Sequence, residues 1–165
     1  MPISTIGQNG LAQSRILTTV QQPAGAVLQV VNGTSITATN TSSTSFVSTS
    51  LFATITPTSS ANNVLILCSY AAFGLYNGGD YCIGTIFRNL TNLGGGTYSA
   101  LSSTGSYAWG LNQGYDVYTN IMHLDAPSTT SAQTYRLYIK SYAGQSIYAN
   151  DSAWRSSITL LEIAG

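Results

Sequence analysis

The chain is short of charge. Only 6% of its 165 residues are Asp, Glu, Lys or Arg, five acidic against five basic. No field of one sign is therefore available to gather nucleic acid or an anionic membrane surface. Histidine is scarcer still, with His123 alone, and the two cysteines, Cys68 and Cys82, are not spaced as a CxxC pair. A metal centre is not expected from so few ligands, nor is a disulfide framework. Both cysteines lie within apolar runs and read as small buried hydrophobes. No apolar run reaches the roughly 20 residues that cross a bilayer as a helix, which implies a water-soluble chain without membrane insertion. Met1 to Gly7 carry neither the basic nor the apolar region of a secretory signal, so synthesis is expected to end in the cytosol.

What is abundant is Ser, Thr, Asn, Gln and Gly, together with β-branched residues and eleven tyrosines. This mixture disfavours helix and suits a pleated, half-buried surface. Helical periodicity is weak throughout, whereas period-two alternation recurs between Gly, Pro, Ser and Asn clusters. The length allows one ordinary domain plus a short tail. Residues 1–25, polar with scattered apolar positions and closed by Pro23-Ala24-Gly25, read as an extended arm that needs another subunit or protein to order it.

Residues 26–165 read as the head. Ala26 to Val31 predicts a first strand closed by a turn at Asn32-Gly33, and the Thr/Ser tract from Thr34 to Ser45 is compatible with an edge strand or a loop. From Phe46 to Ile55 the core face is Val47, Leu51, Ala53 and Ile55, since alternate residues share a face. Val64 to Phe73 is apolar on both parities, the mark of a strand covered on both faces and the best candidate for the centre of the core. After a turn at Asn77-Gly78-Gly79-Asp80, further strands are expected at Tyr81–Phe87, Tyr115–Leu124, Gln133–Tyr142 and Ser157–Ile163. About eight strands punctuated roughly every ten residues predict an all-β fold, an antiparallel sandwich or jelly-roll-like head.

The chemistry-bearing residues are few. No Gly-x-Ser-x-Gly elbow occurs, and Gly94-Gly95-Gly96 lacks the Lys-Ser/Thr of a phosphate loop. No cofactor is implied. His123 and Asp125 would share a strand face and could form a base and its orienter, but a histidine packed near a strand end with an exposed turn aspartate is much the favoured account, since one pairing of common residues carries little information. The five acids are Asp80, Asp116, Asp125, Asp151 and Glu162. All but Glu162 sit at turn-like or strand-end positions, where Asp bonds the local backbone. Glu162 alternates with Leu160 and Ile158, so burial of that face would require a partner. Arg88 and Arg136 are the candidates for a structural ion pair. These readings favour a non-enzymatic chain. The four Asn-x-Ser/Thr sequons, from Asn32, Asn40, Asn89 and Asn150, are expected by chance in so Ser/Thr-rich a sequence.

The one stretch that could serve as a recognition surface runs from Gly94 to Asp116, although packing is the favoured role of its aromatic residues. Tyr98, Tyr107, Trp109 and Tyr115 stand there among small residues and the amides Asn112 and Gln113. Rigid aromatics among adaptable polar side chains give contact area at low entropic cost. The same residues would also serve as packing within the sandwich or at an interface between copies.

Three stretches carry a resemblance to a known group: Met1-Pro2-Ile3-Ser4-Thr5-Ile6-Gly7-Gln8-Asn9-Gly10-Leu11; Pro23 to Val31 with the later Ile55-Thr56-Pro57-Thr58-Ser59-Ser60; and Leu124-Asp125-Ala126-Pro127 through Tyr135-Arg136-Leu137-Tyr138 to Ile158–Ala164. In these the chain resembles short virion appendage proteins of tailed bacteriophages, especially of aquatic bacteria, found as tail-fibre parts and related structural proteins. The resemblance implies a β-sandwich head, an N-terminal attachment arm to other virion proteins, a homotrimer, and contact with a host-surface glycan or protein. Longer fibre proteins have a repetitive shaft that this sequence lacks. A capsid decoration protein, with the sandwich ornamenting the shell, is the alternative.

Overall fold

The computed structural model describes residues 22–74, 81–96, 100–104, 115–150 and 154–165. Among these, eleven strands form two antiparallel sheets. The first sheet is built around β4 (Asn63–Gly74). Along one edge β4 pairs with β8 (Tyr115–Asp125) over Val64 to Gly74. Along the other it pairs with β11 (Ser156–Ile163) over Asn63 to Ser69, then with β10 (Ile147–Ala149) over Ala72 to Gly74. Outside β11 lies β1 (Val27–Ser35), and outside β10 lies β2 (Thr39–Thr41).

The second sheet orders β3 (Val47–Ile55), β9 (Gln133–Ser141) and β5 (Cys82–Arg88), with β6 (Thr91–Asn92) and β7 (Ser102–Thr104) on the far edge of β5. The chain changes sheets from β2 to β3, from β3 to β4, from β4 to β5, from β7 to β8, from β8 to β9 and from β9 to β10. The result is the expected sandwich, with jelly-roll-like crossings between its layers.

Alternation places the core. Leu51, Ala53 and Ile55 from β3, Val64, Ile66, Cys68 and Tyr70 from β4, Leu137 and Ile139 from β9, and Ile158 and Leu160 from β11 meet between the sheets. Each wholly buried Leu or Ile stabilises by roughly 1.5–3 kcal/mol relative to exposure. The core face read for β3 is the observed one, with Thr49 added. Its buried hydroxyl donates to the Leu137 carbonyl at 2.9 Å, which satisfies the polar atom. Cys68 and Cys82 are both buried free thiols, and burial pushes the Cys68 thiol up to about 12.

Two expectations are revised and one open alternative is resolved. The Asn32-Gly33 dipeptide does not turn the chain, because β1 runs through it to Ser35. Gly33 is needed for a different reason: β1 crosses against β3 there, and a Cβ would overlap the Phe52 carbonyl oxygen and lie 2.9 Å from its carbon. Next to this approach the Ser35 and Ser50 hydroxyls bond at 2.6 Å, drawing that side of the sandwich together. The Thr34–Ser45 tract is both edge strand and loop. The three residues of β2 are flanked by hydroxyl-capped turns, with the Thr37, Ser43 and Ser45 amides donating to Ser35, Thr41 and Ser43 side chains. Finally, β4 is central, but among the described residues its outward face is only partly covered. Val64, Ile66, Cys68, Tyr70 and Ala72 are buried on the inward face and Ala71 on the outward one, while Leu65 is half-buried and Leu67 exposed. The expected turn at Asn77–Asp80 lies outside the described residues.

Gly33 gives a direct test of the close approach. Gly33→Ala is expected to destabilise the fold by roughly 3 kcal/mol, because a backbone carbonyl cannot swing aside as a side chain would. Urea unfolding should show a lower midpoint at unchanged slope. Wild-type stability in that variant would contradict the β1–β3 packing.

Candidate functional site

The ends of the sandwich differ. At one end the chain enters through Gly25, whose amide donates to the Ala164 carbonyl at 2.8 Å, and Ala164 returns a bond to Ala26 at 2.9 Å. Gly25 adopts φ +86°, a conformation that a glycine takes without strain. At the opposite end lie Thr104, paired with Cys82, and Tyr115, paired with Gly74. Both flank the stretch that holds the candidate recognition residues. Tyr98, Tyr107, Trp109, Asn112 and Gln113 lie outside the described residues, and Tyr115 opens β8.

Near the chain entry Glu162 is fully buried on the same face as Ile158 and Leu160, as alternation requires. Its partners are not Arg88 or Arg136. Oε2 accepts from the Gln29 amide at 2.6 Å, and Oε1 accepts from the Thr58 backbone N–H at 2.6 Å, the Thr58 hydroxyl at 2.8 Å and the Asn62 amide at 2.6 Å. Burial alone would raise the carboxyl pKa. The bonds from Asn62, Gln29 and Thr58 outweigh it and hold the group below the usual carboxylate range. Gln29 also donates to the Thr56 carbonyl at 2.8 Å, and Asn62 Oδ1 accepts the Gly165 amide at 3.2 Å. Glu162 thus clasps β1, the 56–62 loop and the C-terminal residues with four neutral donors.

Asp125 is the second buried acid, and it is not an exposed turn residue. Arg88 Nη1 lies 2.9 and 2.8 Å from its two oxygens, and the Tyr135 hydroxyl donates to Oδ2 at 2.7 Å. One residue comes from each of β8, β5 and β9, so the cluster bolts the two sheets together at the chain-entry end. Burial, reinforced by the hydrogen bond and charge of Asp125, pushes the Tyr135 phenol far above its ordinary range. It remains a donor at any physiological pH. Asp125 spends its oxygens on Arg88 and Tyr135, and no bond to His123 is formed, so the base-and-orienter pairing is not assembled. Among the described residues, no three of His, Cys, Asp and Glu gather where a metal ion could be held.

Arg136 belongs to the outward face of the second sheet. Its Nη1 donates to the Thr49 carbonyl at 2.7 Å, and its guanidinium carbon sits 4.4 Å over the Phe52 ring. In register it stands between Phe52 and Phe87. Lys140 Nζ lies 4.5 Å over Phe46, Phe46 meets Phe87 edge-on at 5.9 Å, and Phe87 stacks on Tyr138 at 4.1 Å. The outward face therefore carries four aromatic rings interleaved with two cations. Such a layer can stack on sugar rings and pair with anionic groups. Its signal in the sequence is the alternation Arg136, Tyr138, Lys140 along one strand. The partners Phe46, Phe52 and Phe87 come from strands that only the register brings alongside.

No protein-family model and no curated protein matches the chain. Two solved structures that resemble it are of infectious bursal disease virus. One is the structure of the Gx strain, 15% identical over 83% of this chain and 32% of that chain, TM-score 0.43. The other is the crystal structure of its VP2 subviral particle, 15% identical over 83% of this chain and 33% of that chain, TM-score 0.44. This chain spans about a third of each. At that distance the all-β assignment rests on the strand pairing itself.

The two clasps make separate predictions. Because the folded pKa of Glu162 is depressed, its contribution is fully present above the unfolded value of about 4.3. It should be lost as pH falls from there through the folded value. Glu162→Gln is expected to cost roughly 2–3 kcal/mol at neutral pH, by losing charge-assisted bonds, and to weaken the acid dependence of unfolding. A variant whose stability falls with acid as steeply as wild type would contradict the clasp. Asp125→Ala is expected to cost about 3 kcal/mol by stranding Arg88 and the Tyr135 hydroxyl, against about 1 kcal/mol for Tyr135→Phe. A double-mutant cycle in thermal unfolding should find the two coupled.

Proposed function

We propose that this chain is a structural protein of a virion, a tail-fibre or baseplate-associated homotrimeric appendage of a tailed bacteriophage. In this reading residues 1–25 attach it to the particle and the sandwich head contributes to host-surface adhesion. The observation that carries the reading is the separation of the two ends. Gly25 and Ala26 are tied to Ala164 at one end. Thr104 and Tyr115, which flank the aromatic-rich loop, lie at the other. An arm leaving one end and a contact surface at the opposite end are what an appendage requires. The sequence resemblance to phage appendage proteins supports the setting. Asp125 and Glu162 are consumed in holding the sandwich together, which agrees with a mechanical role. Three heads held together would convert weak contacts into firm attachment by raising the effective concentration of each.

The aromatic and cationic face of the second sheet is a further surface for adhesion, and anionic glycans are its natural ligand class. Purified full-length protein should retain on host cells or on their envelope polysaccharide in a pull-down. The joint variant Phe52→Ala, Arg136→Ala should bind at least tenfold more weakly if this face takes part. Failure of the wild-type protein to bind either would remove the adhesive part of the proposal.

A capsid decoration role is the second reading. The observation favouring it is that β1 starts at Val27, two residues after Gly25, with no shaft between arm and head. Copy number decides between them. Quantitative mass spectrometry of purified particles should give a few to tens of copies for an appendage and hundreds for a decoration protein. Absence from particles would overturn both.

A further inference from the structure

Among the described residues, much of the outward face of the first sheet is aliphatic and open. Following the register across β1, β11, β4 and β8, one row reads Val30, Leu161, Leu65, Leu124, and the next reads Asn32, Thr159, Leu67, Met122. A third row, Thr34, Ser157, Ser69, Asn120, is polar but neutral. Val30 is 59% exposed, Met122 76% and Leu124 56%. A shallow groove runs between these strands, lined by Leu67, Ser69, Asn120, Met122, Ser157 and Thr159. Among the described strands, none hydrogen-bonds the free edge of β8, and from Val117 to Leu124 that strand contains neither proline nor lysine, the usual guards of an exposed edge.

We infer that copies of this chain pack on one another through this face, with Val30, Leu65, Leu67, Met122, Leu124 and Leu161 as the dry centre of the contact. Three observations select a second copy as the occupant. First, β4 is apolar on both parities, the composition of a strand buried on both sides, yet among the described residues Leu65 and Leu67 on its outward face stay open, with only Ala71 buried there. Second, the three rows contain no charged residue. The face is therefore compatible with itself, presenting no like charges to oppose and no charge that a partner must neutralise. Third, its size suits the centre of a contact. Four strands about 4.8 Å apart, followed over the five residues that the three rows span at about 3.4 Å each, give a projected area of about 330 Å². That is within the range of the largest patches on monomers and about two-fifths of the roughly 800 Å² that each partner buries in a standard interface. The polar third row and the β8 edge supply a rim.

This inference deepens the reading of the chain as a self-assembling structural protein and rests on it, but its test does not require the virion. The full-length protein is examined by native mass spectrometry and sedimentation, beside the double variant Met122→Lys, Leu124→Lys. Both positions are largely exposed in one chain, so the variant keeps the core. The expected result is an oligomeric wild type and a folded, monomeric variant, confirmed by circular dichroism, with association weakened on the order of 100-fold or more by two unpaired charges at the contact. A monomeric wild type at about 100 μM, or a variant that keeps the wild-type oligomer, overturns the inference. Should the variant fail to fold, hydrogen exchange of the wild type decides. Protection of β8 that rises with protein concentration supports the contact, and protection independent of concentration refutes it. A confirmed contact in a protein absent from particles would remove the virion reading and leave this one standing. Particles that contain the protein as isolated monomers would do the reverse.

Discussion

The structure hangs on β4. Its core-facing residues fill the space between the sheets, and its two edges carry β8 on one side and β11 and β10 on the other. With only 6% charged residues, electrostatics cannot organise such a chain. Burial of Ile, Leu, Val and Tyr supplies the driving force, and backbone pairing supplies the direction. The few charges that are buried therefore carry specific tasks. Glu162 gathers the chain entry, the 56–62 loop and the C-terminal residues, and Asp125 ties β8 to β5 and β9. Both act at the end where the chain enters, so that end is fastened by polar bonds as well as by packing.

Under the proposed function that asymmetry would link fold to role. A module attached at one end experiences its load there, and the fastened end is the one beside residues 1–25, the proposed attachment arm. The opposite end receives the connections from β4 to β5 and from β7 to β8. The two broad faces differ as well: neutral and aliphatic on the first sheet, aromatic and cationic on the second. One face suits contact with a like surface, and the other suits a ligand with rings of hydroxyls or anionic groups.

The residues show how far the sequence could be read. The β3 core face was legible because alternation over Val47 to Ile55 is a purely local signal. The burial of Glu162 was legible for the same reason, through Leu160 and Ile158 on either side of the alternation. Its partners were not, because Gln29, Thr58 and Asn62 are 100 or more residues away and neutral, whereas reasoning from charge alone points to arginine. Asp125 beside Ala126-Pro127 looks like a turn residue, and only the approach of β5 and β9 makes it a buried anchor. Asn32-Gly33 carries the composition of a turn but serves a close approach of two backbones, which no local pattern distinguishes. A strand apolar on both parities, as β4 is, reads as covered on both faces. Among the described residues the inward face is buried and the outward one is covered at Ala71 but open at Leu67, a difference that composition alone does not show.

A residue-resolution map of the protein in its assembled state tests this account most directly. It should show Gly25 and Ala164 directed toward the particle, the Thr104 and Tyr115 end directed outward, and the Leu65, Leu67, Met122, Leu124 face closed against another copy. A map in which that face is open to solvent and the chain-entry end points away from the particle would contradict it.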